Sequence, residues 1–177
     1  LYRNPLSLKR PDGSVVDTSK MINNGGYSNH ARRYREFFHS VSMEFDTVLY
    51  VMGNHEPYSG QWDRTEQILR DELVAYPNIH LLEQSRQVIG DVVFLGATLW
   101  TDLNNCDPIT MHAVRDLMSD YQAITEIVEG RYRKLRPETT VKENRATVQW
   151  LNYMLASDQR KTVFLGCLLY TSPSPRD

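Results

Sequence analysis

Blocks of apolar residues alternate with polar segments along the chain, and their spacing predicts an α/β fold. Apolar positions at helical spacing over residues 28–44 predict an amphipathic helix. Thr47–Met52 is a continuous run of β-branched and apolar residues, which predicts a parallel strand buried on both faces. Asp63, with Glu66 three positions on, predicts the N-cap of a second helix that ends near Tyr76–Pro77.

A hairpin is the next feature that the pattern predicts. Gly90–Asp91 is a two-residue turn signal, and it lies between apolar runs at 87–89 and 92–99. A short strand at 79–82 precedes the hairpin. The apolar run 92–99 leads to Trp100, which we expect to pack in the core.

The last part of the chain returns to helices and ends on a strand. Residues 107–118 are predicted to form a helix with proline in its first turn. Residues 126–139 are polar and basic, which predicts an exposed excursion. A long amphipathic helix follows Pro137–Glu138, and Lys161–Gly166 begins a last buried strand. The apolar residues expected on the inner side of the long helix are Val141, Val148, Leu151, Met154 and Leu155.

Composition is that of an ordinary globular protein and narrows the function only slightly. The chain of 177 residues suits one domain, and its formal net charge of −2 gives no global case for binding nucleic acid or a membrane. No apolar stretch approaches the roughly 18 residues of a membrane span. Cys106 and Cys167 form neither a metal-ligand spacing nor a disulfide framework, which favours a reducing, cytoplasmic location.

The turn after the strand at 47–52 holds the candidate chemistry. Gly53, Asn54, His55 and Glu56 follow that strand directly, and α/β proteins bind ligands just outside the carboxyl ends of such strands. Gly53 permits a sharp bend, and Asn54 offers a carbonyl oxygen that suits divalent cations. His55 can ligate a metal or protonate a leaving group, and Glu56 can orient it. The alternative is an Asx turn without catalytic function.

Thr47–Tyr58, TVLYVMGNHEPY, resembles the GNH(E/D) signature of calcineurin-like metallophosphoesterases in its strand-to-loop context. GATLWTD, which ends at Asp102, resembles a segment that follows GNHE in one bacterial and phage branch of that family. Ser119–Tyr121 with Ile124 resembles the loop that packs against the strand bundle there. The similarity spans about residues 37–166. It implies an α/β fragment of a four-layer αββα sandwich with a mixed sheet.

The resemblance also implies a chemistry. The family hydrolyses phosphate mono- or diesters with two divalent metal ions, for which Mn, Fe, Zn, Mg and Ni are all candidates, so a phosphate-ester substrate is expected. By the motif, Asn54 would be a metal ligand, His55 would protonate the departing oxygen, and Glu56 would orient His55. The family's upstream D-x-H and GD-x-x-D motifs and its later histidines have no match here. We therefore expect a hydrolase as the parent protein and an inactive fragment.

Further interpretations stay open at this point. A non-catalytic phosphoesterase-fold module that binds other proteins would keep the fold without the full ligand set. A nuclease is another alternative, for which the basic run Arg131–Arg136 is a local hint that a solvated loop explains equally well. Asp102 either caps its loop or faces the active-site cleft.

Both ends of the sequence differ in character from its middle. We expect residues 1–166 to be a partial phosphoesterase domain with a loop-rich lead-in over 1–26, where turn signals cluster. Residues 167–177, CLLYTSPSPRD, resemble a translated sequencing adapter and are expected to be non-native, with a histidine pair after Gly166 in the natural protein. A genuine terminus that is disordered around its prolines is the alternative.

Overall fold

The computed structural model describes residues 27–168, with side chains from 35 to 167. The lead-in expected at 1–26 and all but the first two residues of the tail expected at 167–177 lie outside this range. The helices are α1 (Tyr27–Glu44), α2 (Trp62–Leu73), α3 (Leu103–Cys106), α4 (Pro108–Leu117), α5 (Asp120–Ala123) and α6 (Pro137–Ser157). The strands are β1 (Val48–Tyr50), β2 (Ile79–Leu81), β3 (Ser85–Ile89), β4 (Val92–Leu99), β5 (Thr125–Val128), β6 (Arg131–Lys134) and β7 (Lys161–Leu168).

The strands of the described range form three small sheets. β1 and β2 pair in parallel, and β5 and β6 form an antiparallel hairpin. The third sheet has the order β3-β4-β7, with β3 antiparallel and β7 parallel to the central β4. The chain is therefore a mixed α/β protein that contains a mixed sheet, as the sequence pattern predicted. No helix of the described range is long and apolar enough to cross a membrane.

Two apolar clusters form the core. One lies where α1 and α2 pack with β1 and β2, and Phe38 and Leu69 are among its most buried members. The other lies beyond the carboxyl end of β4, where Trp100, Tyr121 and Ile124 are at most 2% exposed. The packing role expected for Trp100 is confirmed, and Tyr121 and Ile124 pack in the same cluster; packing of the Ser119–Tyr121 loop against a strand bundle stays a prediction.

Two strands are less buried than their composition predicted. All three residues of β1 are only partly buried, and within the described range this strand pairs with β2 alone. β7 is the edge strand of its sheet in the same range, and the side chain of Phe164 is 38% exposed. The prediction that the strand at 47–52 is buried on both faces is wrong for the described structure, and the strand predicted to be buried from Lys161 on has no fully buried residue over 161–167.

Two helices differ from their predicted form. α2 begins at Trp62 after Gln61, so Asp63 is not its N-cap; its carboxylate instead accepts a hydrogen bond from the Ile127 backbone N–H at 2.7 Å. In α6, Val141 is buried as expected, but Val148 is 41% and Leu155 is 54% exposed. The buried face of α6 carries Pro137, Thr140, Val141 and Thr147, and an apolar pattern does not reveal a face that holds two threonines.

The hairpin predicted at Gly90–Asp91 is confirmed; the excursion predicted at 126–139 is exposed over most of 129–136, but it holds a hairpin that the sequence pattern did not predict. Residues 125–134 form the β5–β6 hairpin, whose turn residues Glu129 and Gly130 have φ values of 52° and 74°. Positive φ at both central residues is the geometry that suits the twist of a two-residue hairpin. Glu126 is only 3% exposed and fixes the hairpin by accepting from the Arg133 guanidinium at 2.9 Å.

α3 is a left-handed turn and carries backbone strain. Its four residues have φ between 52° and 63°, a region that costs roughly 1–2 kcal/mol for each residue with a side chain. Asn104 and Asn105 reduce that cost, because asparagine visits this region more readily than most residues. Leu103 is fully buried, which offsets part of the strain. Asp102 precedes the turn, is exposed, and makes no side-chain capping hydrogen bond.

A buried carboxyl group joins the segments that follow β1 and β2 to β4. The backbone N–H of Thr98 donates to both oxygens of Glu83, at 3.0 and 3.1 Å. The Thr98 hydroxyl lies 2.7 Å from Glu83 Oε2 and 2.9 Å from the Met52 carbonyl oxygen. One hydroxyl proton cannot serve two acceptors. Both contacts are satisfied when Glu83 is protonated and donates to the hydroxyl, which then donates to Met52.

Burial raises the pKa of Glu83 from its ordinary 4.5 to about 7, and the nearby carboxylates of Glu66 and Glu143 add to the rise. Between these two pH values the unfolded chain has released this proton and the folded chain still holds it. The stability of the fold therefore falls as the pH rises through that window.

We predict that Glu83→Gln makes the stability of the protein less dependent on pH. The neutral amide does not ionise, so the variant should gain on the order of 1–3 kcal/mol relative to the wild type between pH 5 and pH 8. Thermal denaturation of both proteins at the two pH values measures this difference. Parallel loss of melting temperature in the two proteins would show that Glu83 does not titrate in this window.

Candidate active site at the GNHE turn

Two strand ends meet at Gly53, the first residue of the turn after β1. A Cβ atom placed on Gly53 would lie 3.1 Å from Sγ of Cys167 at the end of β7 and 3.1 Å from Oε2 of Glu56. A larger residue at this position would require the side chains of Cys167 and Glu56 to move by a few tenths of an ångström. Burial raises the pKa of the Cys167 thiol, and a hydrogen bond from the Asn54 backbone N–H opposes that rise. The end of β7 is therefore in contact with the GNHE turn.

Glu56 closes the turn. Its Oε2 accepts from the Gly53 backbone N–H at 2.6 Å, and its Oε1 accepts from the Tyr50 hydroxyl at 2.7 Å. The described part of the structure shows no hydrogen bond between Glu56 and His55, because the two carboxylate oxygens of Glu56 accept from Gly53 and Tyr50 instead. Glu56 thus shapes the backbone that carries His55. Its effect on the chemistry of His55 stays a prediction.

His55 projects from the turn into solvent. Its side chain is exposed, and its ring packs on that of Tyr58 with the centroids 4.5 Å apart. An exposed imidazole on a turn fixed by Glu56 can reach a substrate while its backbone stays in place. This arrangement is compatible with a general acid, although it fixes only one side of the ring.

Asn54 is held by a residue from a distant part of the chain. Its Nδ2 donates to Oδ1 of Asp120 at 2.7 Å across 66 positions of sequence. Asp120 opens α5 and is 4% exposed. Tyr58 belongs to the same group: burial, and next the negative charge of Asp120, raise the pKa of its hydroxyl. The sequence analysis assigned Asp120 to a loop that packs against the strands. No spacing of residues along the chain predicts its contact with Asn54.

Hydrogen bonds hold the segment after the turn, residues 59–60, against α5 and β5. The Ser59 backbone N–H donates to the Ala123 carbonyl at 3.0 Å. Thr125 donates to the Gly60 carbonyl through its backbone N–H at 3.1 Å and its hydroxyl at 2.7 Å. The candidate residues 54–56 therefore lie between two anchored segments, which limits the conformations that the turn can adopt.

The side chains around the turn do not make a complete metal site. Within the part of the chain that the structure describes, no three His, Cys, Asp or Glu residues are grouped so that they could hold a metal ion. Asn54 supplies an amide oxygen, which is one ligand of the several that a divalent ion requires. The expectation of two divalent ions stays a prediction for the parent protein.

Comparison with curated proteins finds a distant viral relative of this chain. No family model matches the chain, and no solved structure matches it. Uncharacterized protein L509 of Acanthamoeba polyphaga mimivirus is 26% identical over 137 residues, which cover 74% of this chain and 48% of L509. The chain thus spans about half the length of this curated relative.

We predict that Glu56→Ala loosens the GNHE turn. The substitution leaves the partly buried Gly53 N–H without its acceptor, which costs about 1–3 kcal/mol. Hydrogen exchange at the Gly53 amide should accelerate and the denaturation midpoint should fall, with a smaller effect for Glu56→Gln, which keeps an acceptor oxygen. Glu36→Ala, at an exposed position on α1, is the control and should change neither. Unchanged exchange at Gly53 in Glu56→Ala would contradict this role.

Proposed function

We propose that this chain is part of a metal-dependent phosphoesterase whose complete form hydrolyses phosphate mono- or diesters. The observation that carries the proposal is the exposed imidazole of His55 beside the anchored amide of Asn54, at the carboxyl end of β1. An arrangement of this kind offers a proton donor and an oxygen ligand to the same small volume. Packing alone does not require an exposed imidazole there.

The position of β7 supports the same proposal. In the family that the sequence resembles, the strand equivalent to Lys161–Gly166 is followed by histidines that ligate metal. Here β7 runs parallel to β4 and carries position 167 into contact with the GNHE turn. Histidines that followed Gly166 in the parent protein would start from this point and lie near Asn54.

His55 is the residue to which a chemical step can be assigned. Bound divalent ions would hold the phosphate and activate a water molecule. The described residues do not complete such a site, so the step derived from them is proton transfer alone. His55 in its protonated form donates to the departing oxygen as the ester bond breaks, which matters most when that oxygen is a poor leaving group.

A non-catalytic module that binds other proteins is the second candidate. One observation favours it: the side chains of Glu56 and Asn54 both make hydrogen bonds that fix the turn, and a scaffold needs no more from them. The exposed His55 has no such structural use. Hydrolytic activity of the complete protein separates the two candidates.

We predict that His55→Ala, in protein expressed from the complete reading frame, lowers kcat most for esters with poor leaving groups. General acid catalysis contributes typically 10²–10⁴-fold, and an activated nitrophenyl ester needs little of it. The assay compares an alkyl and a nitrophenyl phosphodiester in the presence of Mn²⁺. His112→Ala removes an exposed histidine from α4 and should leave both rates unchanged.

Two results of this assay would count against the proposal. Equal loss for the two esters in His55→Ala would exclude the general-acid role while leaving the hydrolase intact. Absence of hydrolysis in the wild-type protein, with Mn²⁺ and with each of the other candidate metals, would overturn the hydrolase and favour the protein-binding module.

A further inference from the structure

We propose that the exposed surface of β6 and of its extension to Arg136 binds single-stranded nucleic acid. We call this surface the basic strip and define it as Arg131, Tyr132, Lys134 and Arg136, all of which are exposed. An exposed aromatic ring and three cations share one short, ordered segment there, and this juxtaposition carries the inference. The inference goes beyond the proposed function, because binding at the strip needs neither a metal ion nor hydrolysis.

The strip follows from the two-residue alternation of side chains along an extended strand. Arg133 and Leu135 point inward: the Arg133 guanidinium donates to the buried carboxylate of Glu126 at 2.9 Å, and Leu135 is 1% exposed. The backbone of Arg136 is still extended, with φ −116° and ψ 149°, so the alternation continues to it. Neighbouring outward positions are therefore roughly 7 Å apart. These positions are Tyr132, Lys134 and Arg136.

The cations of the strip are not neutralised by carboxylates. No ion pair in the described range involves them, and the ammonium group of Lys134 donates to the neutral carbonyl of Gln122. The arginines that do pair with carboxylates in this range are Arg35, Arg70, Arg86, Arg115, Arg133 and Arg160. Glu129 and Glu138 are exposed at the two ends of the strip and leave it an excess of positive charge. A polyanion is favoured there, although the formal net charge of the chain is −2.

Tyr132 selects nucleic acid among the polyanions. It is 64% exposed, and its ring makes no contact with another ring in the described range, so a base can stack on it. A single strand offers unpaired bases as well as phosphates, whereas an acidic peptide or an anionic membrane offers no base. Within β5 and β6 no other large apolar side chain is exposed, so the hairpin lacks the apolar face that enters a membrane.

The hairpin holds the strip in a fixed shape. Glu126 is 3% exposed and accepts from the Thr139 hydroxyl at 2.6 Å as well as from Arg133. The backbone N–H of Leu135 donates to the Ile124 carbonyl at 3.0 Å, which ties the end of the strip to the segment before β5. Because the backbone is ordered before binding, little conformational entropy is lost when a ligand binds. A solvated loop of the same composition would lose more.

The first test is the affinity of the full chain for a fluorescein-labelled oligothymidylate and oligouridylate at low salt, measured by fluorescence anisotropy. We expect Tyr132→Ala to weaken binding roughly 5- to 150-fold, which is the range for the loss of one stacked base. Tyr132→Phe keeps the ring and should bind as the wild type does. Tyr153→Ala is the matched control, because it removes a 70% exposed tyrosine from α6 and should leave the affinity unchanged.

The cations are tested by the salt dependence of the same affinity. Each lost phosphate contact should lower the slope of log affinity against log salt by about 0.7 in magnitude for a single strand. We expect this change for Lys134→Gln and for Arg136→Gln. Arg115→Gln removes an exposed arginine that pairs with Asp116 and should leave the slope unchanged. Thermal denaturation of each variant identifies a loss of binding that comes from unfolding.

Three results would overturn the inference. The first is that the folded wild type binds neither oligonucleotide. The second is binding that Tyr132→Ala leaves unchanged, which would show attraction to phosphate alone. The third is binding to phosphatidylserine vesicles, but to neither oligonucleotide, that Lys134→Gln weakens, which would assign the strip to a membrane. Binding to one or both oligonucleotides with the expected losses would support the inference, even if the complete protein hydrolyses no phosphate ester.

Discussion

The candidate site depends on the close approach of two strand ends at Gly53. A Cβ atom at this position would lie 3.1 Å from Sγ of Cys167 of β7 and 3.1 Å from Oε2 of Glu56, which is tighter than an ordinary contact. Glycine removes that obstacle, and Glu56 then holds the backbone N–H of the same residue at 2.6 Å. The absence of a side chain at Gly53 therefore lets the end of β7 lie close beside the turn after β1.

Carboxylates connect this site to the rest of the fold. Glu56 acts within the turn, Asp120 joins it to α5, Glu83 joins the segments after β1 and β2 to β4, and Glu126 fixes the neighbouring hairpin. Apart from Glu126, which pairs with Arg133, the hydrogen bonds that these groups accept in the described range come from neutral donors.

Local features of the fold were readable from the sequence, and long-range ones were not. The hairpin at Gly90–Asp91 follows from turn chemistry, the helix predicted at 107–118 follows from proline in its first turn, and the structure has both. The burial of β1 was overestimated because composition does not tell how much of the chain covers the two faces of a strand. The buried threonines of α6 give no apolar signal, and Glu129–Gly130 was overlooked as a hairpin turn.

In the candidate site, too, local features could be predicted from the sequence and long-range contacts could not. Asn54, His55 and Glu56 could be selected because they follow an apolar strand, and the structure places all three on one turn. Asp120 could not be selected, since its partner lies 66 positions away and only the tertiary fold joins them. The partner of Glu56 was misjudged for a related reason: the nearest titratable side chain in sequence is His55, whereas the backbone of Gly53 is nearer in space.

The most direct test of this account is anomalous diffraction at the manganese edge from crystals of the complete protein grown with Mn²⁺. We expect a manganese peak at coordination distance from Asn54 Oδ1, with Asn54 Nδ2 still bonded to Asp120 and His55 free to reach a bound ester. An ordered GNHE turn whose Asn54 oxygen contacts no metal, in crystals that hold Mn²⁺ elsewhere or not at all, would contradict the account.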